Sequence, residues 1–314
     1  MAKRVIIAGA TGFIGRALCR RLHADYEVIA LSRDAKRAAG IVGEYAKVRE
    51  WDARTASAWA AEAEGAYAII NLAGENLSDG RWRQSKRDTI IQSRTNSAGA
   101  IVDAVAGARN KPAVVIQGSA VGYYGSRNEE VLHEDSPSGA GFLAEVCRKV
   151  EAIGARIDRA GVRFVAIRTG LVLGREGGAL PKLAAPFRFF VGGYVGNGKQ
   201  WLSWISLDDE ITAIRFLMED SNLRGPYNLT APHPVTMRRF AGILGQALRR
   251  PAWTRLPGFA IRFALGQMAD EVLLASQRAI PKKLLDAGFA FHYPDLRTAL
   301  EKEFSERKDD HESG

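Results

Sequence analysis

The 314-residue sequence has only two cysteines, Cys19 and Cys147, both in stretches patterned as helices. Such scarcity argues against a disulfide framework or a thiolate metal cluster, and it fits a reducing cytoplasm. No run approaches the roughly 18 to 20 apolar residues that a membrane span requires. The opening MAKRVIIAGATGFIG imitates a secretory leader, with basic residues ahead of an apolar run. The run from Val5 to Ala8 is too short for one and enters a glycine turn, so it reads as a buried first strand of a soluble protein. Internal repeats and low-complexity segments are missing, and so are RNP, helix-turn-helix and zinc-finger signatures.

What is present is a globular composition, 46% hydrophobic and 25% charged with 32 glycines, and a surplus of positive charge. Forty-four Lys and Arg against 35 Asp and Glu leave a formal +9, which favours anionic partners. The basic residues are scattered, apart from a cluster between Arg81 and Arg94. A basic surface with a phosphorylated cofactor accounts for this better than nucleic acid does.

Short apolar runs at residues 4–8, 27–31, 67–72, 113–117 and 163–167 alternate with amphipathic stretches at 13–23, 57–63, 84–106 and 142–159. This β-α-β-α rhythm predicts an α/β fold, a doubly wound parallel sheet with helices on both faces. Beyond Gly170 the pattern loosens into glycine-rich and aromatic loops, then resumes as helices near 208–218, 237–248 and 257–268. The expected division is a cofactor domain over 1–170 to which 205–225 returns. Residues 171–204 and 226–314 then form a smaller mixed or helical substrate lobe with a C-terminal extension. Residues 305–314 are polar and read as a frayed tail.

The motif G-A-T-G-F-I-G brings Gly9, Thr11, Gly12, Phe13, Ile14 and Gly15 to the junction of the first strand and first helix. Glycines there permit a tight turn and close backbone approach, and the helix N-terminus offers free N–H groups to a pyrophosphate. The site is therefore expected to take a dinucleotide. Seventeen residues beyond Gly15, where an acid would bind the ribose of NAD, stand Ser32 and Arg33. Arg33, with Lys36 and Arg37 close by, suits a 2′-phosphate, and Ser32 can donate a hydrogen bond, so the expected cofactor is NADP(H). Asp52, after the third strand, is placed to accept from the adenine amine. The small-residue end Asn71-Leu72-Ala73-Gly74 lets the cofactor cross the sheet edge.

With G-A-T-G-F-I-G, L-S-R, N-L-A-G and G-S-A-V-G-Y-Y-G in that order, the chain resembles the extended short-chain dehydrogenase/reductases, in their atypical, nucleotide-sugar-epimerase-like branch. Later segments agree: Ile167 to Gly174, Gly196 to Asp209, Gly225 to Thr230, Ser276 to Pro281 and Ala287 to Pro294. The resemblance covers nearly the whole chain. It implies a Rossmann-type domain with a smaller C-terminal lobe over the cofactor and a substrate pocket between them. It also implies that Arg94 approaches the cofactor, the alternative being a solvated or ion-paired helix residue.

The family's chemistry uses a Tyr-x-x-x-Lys pair on one helix face, helped by a strand hydroxyl. Aligned by Glu151, the tyrosine position falls on Leu143 and the lysine position on Cys147, so this dyad is missing. What remains is Ser119, the nearest hydroxyl at the end of the fifth strand, to polarise a substrate oxygen. Tyr123 or Tyr124 could supply a proton, unless both merely pack beneath the cofactor. His133 and His233 are isolated and read as ordinary loop histidines. Trp201 and Trp204 line a pocket or the core, and Arg81, Arg83, Lys86 and Arg87 read as a solvated helix start. No metal site is expected.

The function so indicated is an NADP(H)-binding epimerase-like or oxidoreductase protein acting on a small molecule. The alternative is a non-catalytic NADP(H)-binding sensor or interaction protein. Nucleic-acid binding ranks third, and the sequence is silent on oligomeric state.

Overall fold

Seven strands of the computed structural model, which describes residues 2–78 and 80–305, make one parallel sheet. They are β1 (Arg4–Ala8), β2 (Glu27–Ser32), β3 (Lys47–Glu50), β4 (Ala68–Asn71), β5 (Val114–Ala120), β6 (Arg163–Thr169) and β7 (Gly225–Leu229). Their order across the sheet is β7-β6-β5-β4-β1-β2-β3, so the winding reverses between β1 and β4. Residues Val5 to Ala8 and Ala68 to Asn71 pair in register there.

The apolar runs are continuous because both faces of the sheet are covered. Val5 and Ile7 point into one core with Leu18, Cys19 and Leu22 of α1 (Phe13–Leu22) and with Ile214 and Leu217 of the helix Leu207–Glu219. Their neighbours Ile6 and Ala8 point the other way, against Ile101 and Val105 of α4 (Gln84–Gly107) and Ile157 of α5 (Phe142–Arg159). Alternation of side chains along a strand forces this division, and each fully buried Ile or Leu contributes roughly 1.5–3 kcal/mol.

Three of the described helices begin at side-chain caps. Asp34 accepts from the Arg37 N–H at the start of α2 (Ala35–Val42), Ser206 from the Asp209 N–H at the start of Leu207–Glu219, and Thr236 from the Arg239 N–H at the start of Met237–Leu248. By contrast α1 begins at Gly12 with no side-chain cap, which leaves its first N–H groups open.

A third core gathers Leu180 and Phe187, Phe240 and Leu244, and Leu296 and Leu300 from the helices Leu180–Arg188, Met237–Leu248 and Leu296–Ser305. Two-stranded pairings surround it, among them Gly193–Val195 with Thr254–Leu256.

Three expectations are corrected. The return to the main sheet runs on through Leu229 rather than stopping at residue 225, because Gly225–Leu229 pairs with β6 as an edge strand. The expected helix at 257–268 is Gly258–Leu265, followed by a π turn at Ala269–Leu273, and the one at 57–63 is reduced to α3 (Ala60–Ala63). Ser305 closes the last helix, and the rest of the expected tail lies outside the described residues. None of the described helices is long and apolar enough to cross a membrane.

Candidate cofactor and active site

The crevice opens where the sheet reverses, beyond the C-terminal ends of β1 and β4, the place where open α/β sheets take ligands. Three glycines make it possible. Gly9 has φ +78°, and a Cβ there would lie 2.6 Å from the carbonyl carbon of Leu72. A Cβ on Gly15 would come within 2.2 Å of the Gly9 carbonyl oxygen, and one on Gly12 within 3.2 Å. A side chain at Gly9 or Gly15 would collide with backbone, so the N–H groups that open α1 are left facing the crevice, an arrangement suited to an anion.

A cleft of ≈ 320 Å³ extends from this cradle to the end of β2, and Gly9, Thr11, Gly12, Ser32, Arg33, Leu72 and Ala73 all line it. Phe13 and Ile14 do not offer their side chains. The Phe13 ring packs among Gly174, Gly177 and Gly178, and both residues join the core beneath the sheet, so they can serve a ligand only through backbone N–H. At the far end, Asp34 is the acid closest in sequence to Arg33, and its Oδ1 is engaged at 2.9 Å as the cap of α2. The Ser32 hydroxyl donates to the Asp34 carbonyl at 3.1 Å. Arg33 and Arg37 line the cleft and are exposed, and neither guanidinium pairs with another described residue. Trp51, Ile41 and Gly74 also line it, as do the acids Asp34 and Glu75. Trp51 escaped the motif reading because a tryptophan after a strand reads equally well as core.

Two cofactor expectations are corrected by burial and geometry. Asn71 is fully buried, and its side chain ties strands and helix together. Its amide donates to Gln117 Oε1 at 2.9 Å and Ser97 Oγ at 3.2 Å, while Oδ1 accepts from the Ala73 N–H at 3.1 Å. It shapes the crevice from below and touches nothing in it. Asp52 turns away to accept from the N–H groups of Thr55 and Arg54, which hold its carboxyl below the usual carboxylate range. Arg94 packs under the loop after β4, its Nη2 donating to the Glu75 carbonyl at 3.0 Å, and a Cβ on Gly74 would lie 2.9 Å from its Cζ. Burial lowers its pKa.

The proton-transfer region lies along α5. Leu143 is buried in an apolar cluster with Trp82, Phe142 and Met268. One turn on, the Cys147 thiol donates to the Ala120 carbonyl at 3.7 Å, and burial pushes it up, away from the thiolate. Neither replaces a phenol or an ammonium. Ser119 donates its hydroxyl to Glu151 Oε1 at 2.7 Å. Arg168 clamps the same carboxylate with two bonds, of 3.0 and 2.8 Å, and also reaches the Tyr124 hydroxyl and the Glu134 carbonyl, each at 3.0 Å.

Tyr124 is corrected as a proton donor. It has no exposed surface, its hydroxyl donates to Asn228 Oδ1 at 2.7 Å, and burial pushes its pKa up to about 12. Tyr123 is half-buried, with the Arg168 guanidinium 3.5 Å over its ring. Of the two it alone keeps an accessible face.

Sequence reasoning missed Glu151 as more than an alignment marker, Arg168 altogether, and Glu271. The last reaches across from the C-terminal lobe to accept the N–H groups of Phe142 and Leu143 at 2.9 and 3.1 Å. Gly141, at φ +113°, admits it, since a Cβ there would lie 2.8 Å from Glu271 Oε1.

A doubly wound seven-stranded sheet with a glycine cradle at its switch point defines a Rossmann-type α/β protein. The chain belongs to the NAD-dependent epimerase/dehydratase family, whose profile matches residues 5–230, and a domain of unknown function, DUF1731, matches residues 256–303. The resemblance to the extended short-chain dehydrogenase/reductases is thereby borne out. Epimerase family protein ML0860 of Mycobacterium leprae is 39% identical over 94% of both chains. The crystal structure of human epimerase family protein SDR39U1 (isoform 2) with NADPH superposes with a TM-score of 0.87 at 31% identity, covering 96% of this chain and 99% of the human one. A nucleoside-diphosphate sugar epimerase from Corynebacterium glutamicum, 33% identical, matches with a TM-score of 0.75 over 97% of this chain and 58% of its own.

Proposed function

We propose that this protein binds NADP(H) across the glycine cradle and acts on a small molecule with a proton-transfer apparatus different from the Tyr-x-x-x-Lys dyad. The observation that carries the cofactor choice is the end of β2. Arg33 and Arg37 line the cleft without side-chain partners among the described residues, while Asp34, which lines it too, is engaged through Oδ1 as a helix cap. Two guanidiniums without partners among the described residues suit a 2′-phosphate, and Asp34, the carboxylate beside them, has Oδ1 committed to the Arg37 N–H. The NADPH in the human relative supports the same choice.

A nicotinamide bound there would supply or take a hydride. Gly9, Gly12 and the N–H groups of Phe13 and Ile14 would hold the pyrophosphate, and Thr11, Leu72 and Ala73 the adjoining ribose. Ser119, its own hydrogen spent on Glu151, presents lone pairs to a substrate hydroxyl. Tyr123 is the remaining group for proton exchange. Two buried, unpaired cysteines support a reducing, cytoplasmic setting.

Calorimetric titration tests the cofactor reading. NADPH is expected to bind at least tenfold more tightly than NADH. Arg33→Ala should weaken NADPH by roughly 10- to 100-fold, the worth of one charge-assisted bond, while leaving NADH unchanged. Equal affinities for the two cofactors would sink this reading. A second reading, cofactor binding without turnover, is favoured by the apolar pair Leu143 and Cys147. Tight NADPH binding with no oxidation across a broad panel of carbonyl and nucleotide-sugar substrates would select it.

A further inference from the structure

Every exposed Phe and Trp among the described residues lies in one of two segments of the smaller lobe: Phe189 and Phe190, then Trp253, Phe259 and Phe263. Exposed apolar side chains scattered singly are ordinary, whereas a cluster of them marks a contact surface. The helix Leu180–Arg188 sends Phe187 into the third core, and the chain then turns with Phe190 at φ +60°, leaving Phe189, Phe190 and Val191 outside. Trp253 fastens the two segments together. Its indole N–H donates to the Phe190 carbonyl at 2.9 Å, and the Arg250 guanidinium lies 4.7 Å over the Phe190 ring. Gly193–Val195 and Thr254–Leu256 pair immediately beyond. After Pro257 the helix Gly258–Leu265 carries Phe259 and Phe263 one turn apart on a single side, 74% and 82% exposed.

The charge accompanying these rings is of one sign. Residues 177–207 and 221–269 contain ten Lys and Arg and no Asp or Glu, so the entire formal +9 of the chain resides in these two stretches. Arg188, Arg249, Arg250, Arg255 and Arg262, which neighbour the aromatic residues in sequence, are all exposed. Of the five, Arg262 alone has an ion pair among the described residues, with Asp270 at 2.7 Å.

We infer that this face seats the protein on an anionic lipid bilayer. The aromatic rings enter the boundary between headgroups and acyl chains, and the arginines meet lipid phosphates, two signals that together give stable peripheral attachment. Rings about three-quarters exposed project outward, and a fluid surface receives them without matching pockets. A second copy of the chain would instead bring like charge against like charge. Phe259, Arg262 and Phe263 fall within residues 256–303, so the inference gives the domain of unknown function a lipid-facing role. It stands apart from the cofactor reading, because none of these residues lines the cleft at the glycine cradle.

The test is co-sedimentation of the full-length protein with vesicles of phosphatidylcholine, alone or mixed with phosphatidylglycerol, at low and high salt. Binding to the mixed vesicles should exceed binding to phosphatidylcholine at least tenfold and should fall at least tenfold at high salt. Phe189→Ser and Phe263→Ser should each weaken it about tenfold, and Arg250→Gln roughly fivefold. Melting temperature and NADPH affinity should not change, since these side chains are exposed. No sedimentation with the mixed vesicles at millimolar lipid overturns the inference. So does binding that both Phe variants retain, which would come from charge alone or from another surface. Equal binding to phosphatidylcholine alone would overturn the anionic choice. Binding of polyglutamate in place of vesicles would give the face to an acidic protein, and a dimer that either Phe variant splits, without vesicle binding, would give it to a second copy; each outcome overturns the inference. Because NADPH affinity is read separately, failure here and failure of the cofactor site are told apart.

Discussion

Glu210→Gln is expected to stabilise the protein at neutral pH and to flatten its dependence on pH. Glu210 lies in the first turn of the helix Leu207–Glu219 with no exposed surface. Oε1 accepts from the Thr169 hydroxyl at 2.8 Å, and Oε2 is buried without a partner among the described residues. Burial pushes the carboxyl from 4.5 up to about 8. The helix N-terminus favours the ionised form, but by only about 0.3–2 kcal/mol, too little to offset desolvation. Between the two values the unfolded chain has lost this proton and the folded chain keeps it, so stability falls as pH rises through that window. The slope is roughly 1.4 kcal/mol per pH unit, and from pH 4.5 to pH 7 the cost accumulates to about 3 kcal/mol. Glutamine keeps the Thr169 bond and does not titrate. Urea unfolding of both proteins at pH 5.5, 6.5 and 7.5 should show the variant gaining on the parent by about 1.4 kcal/mol at each step. Parallel pH profiles would refute the reasoning.

Two further perturbations address the site. Arg168→Met leaves the Glu151 carboxylate without its clamp and should cost about 3–5 kcal/mol in urea unfolding, with Glu151→Leu in the same chain recovering part of it. A loss below about 1 kcal/mol would mean that the clamp does not hold Ser119 in place. Gly15→Ala directs a Cβ at the backbone of Gly9 and Ala10, which cannot move without opening the turn, so NADPH affinity should fall at least tenfold. Gly40→Ala in α2 meets nothing within 4 Å and serves as the control, with unchanged affinity and a gain of up to about 1 kcal/mol.

The central strands were legible because burial on both faces makes an uninterrupted apolar run, and the glycine cradle because few residues tolerate that backbone. Gly225–Leu229 was not, since G-P-Y-N-L has no such run. It survives as a strand because Pro226 lies at the sheet edge, where a missing N–H costs no ladder bond. Asn71 reads identically whether its amide faces a ligand or the interior, and only the facing Ser97 and Gln117 decide. Tyr123 and Tyr124 are neighbours in one short turn, and which of them is buried depends on Asn228 and Arg168, far along the chain. The missing dyad, by contrast, was visible, because it is a matter of residue type alone.

The bonds from Glu271 to the start of α5 also set an order of events during synthesis. The acceptor is translated 128 and 129 residues after the two N–H groups it satisfies. At 5–20 residues per second, the first turn of α5 waits on the order of ten seconds for its cap while β6 and most of the third core emerge. Until then the N–H groups of Phe142 and Leu143 lack the acceptor they have in the finished fold. The site reaches its final form only when almost the whole chain has left the ribosome.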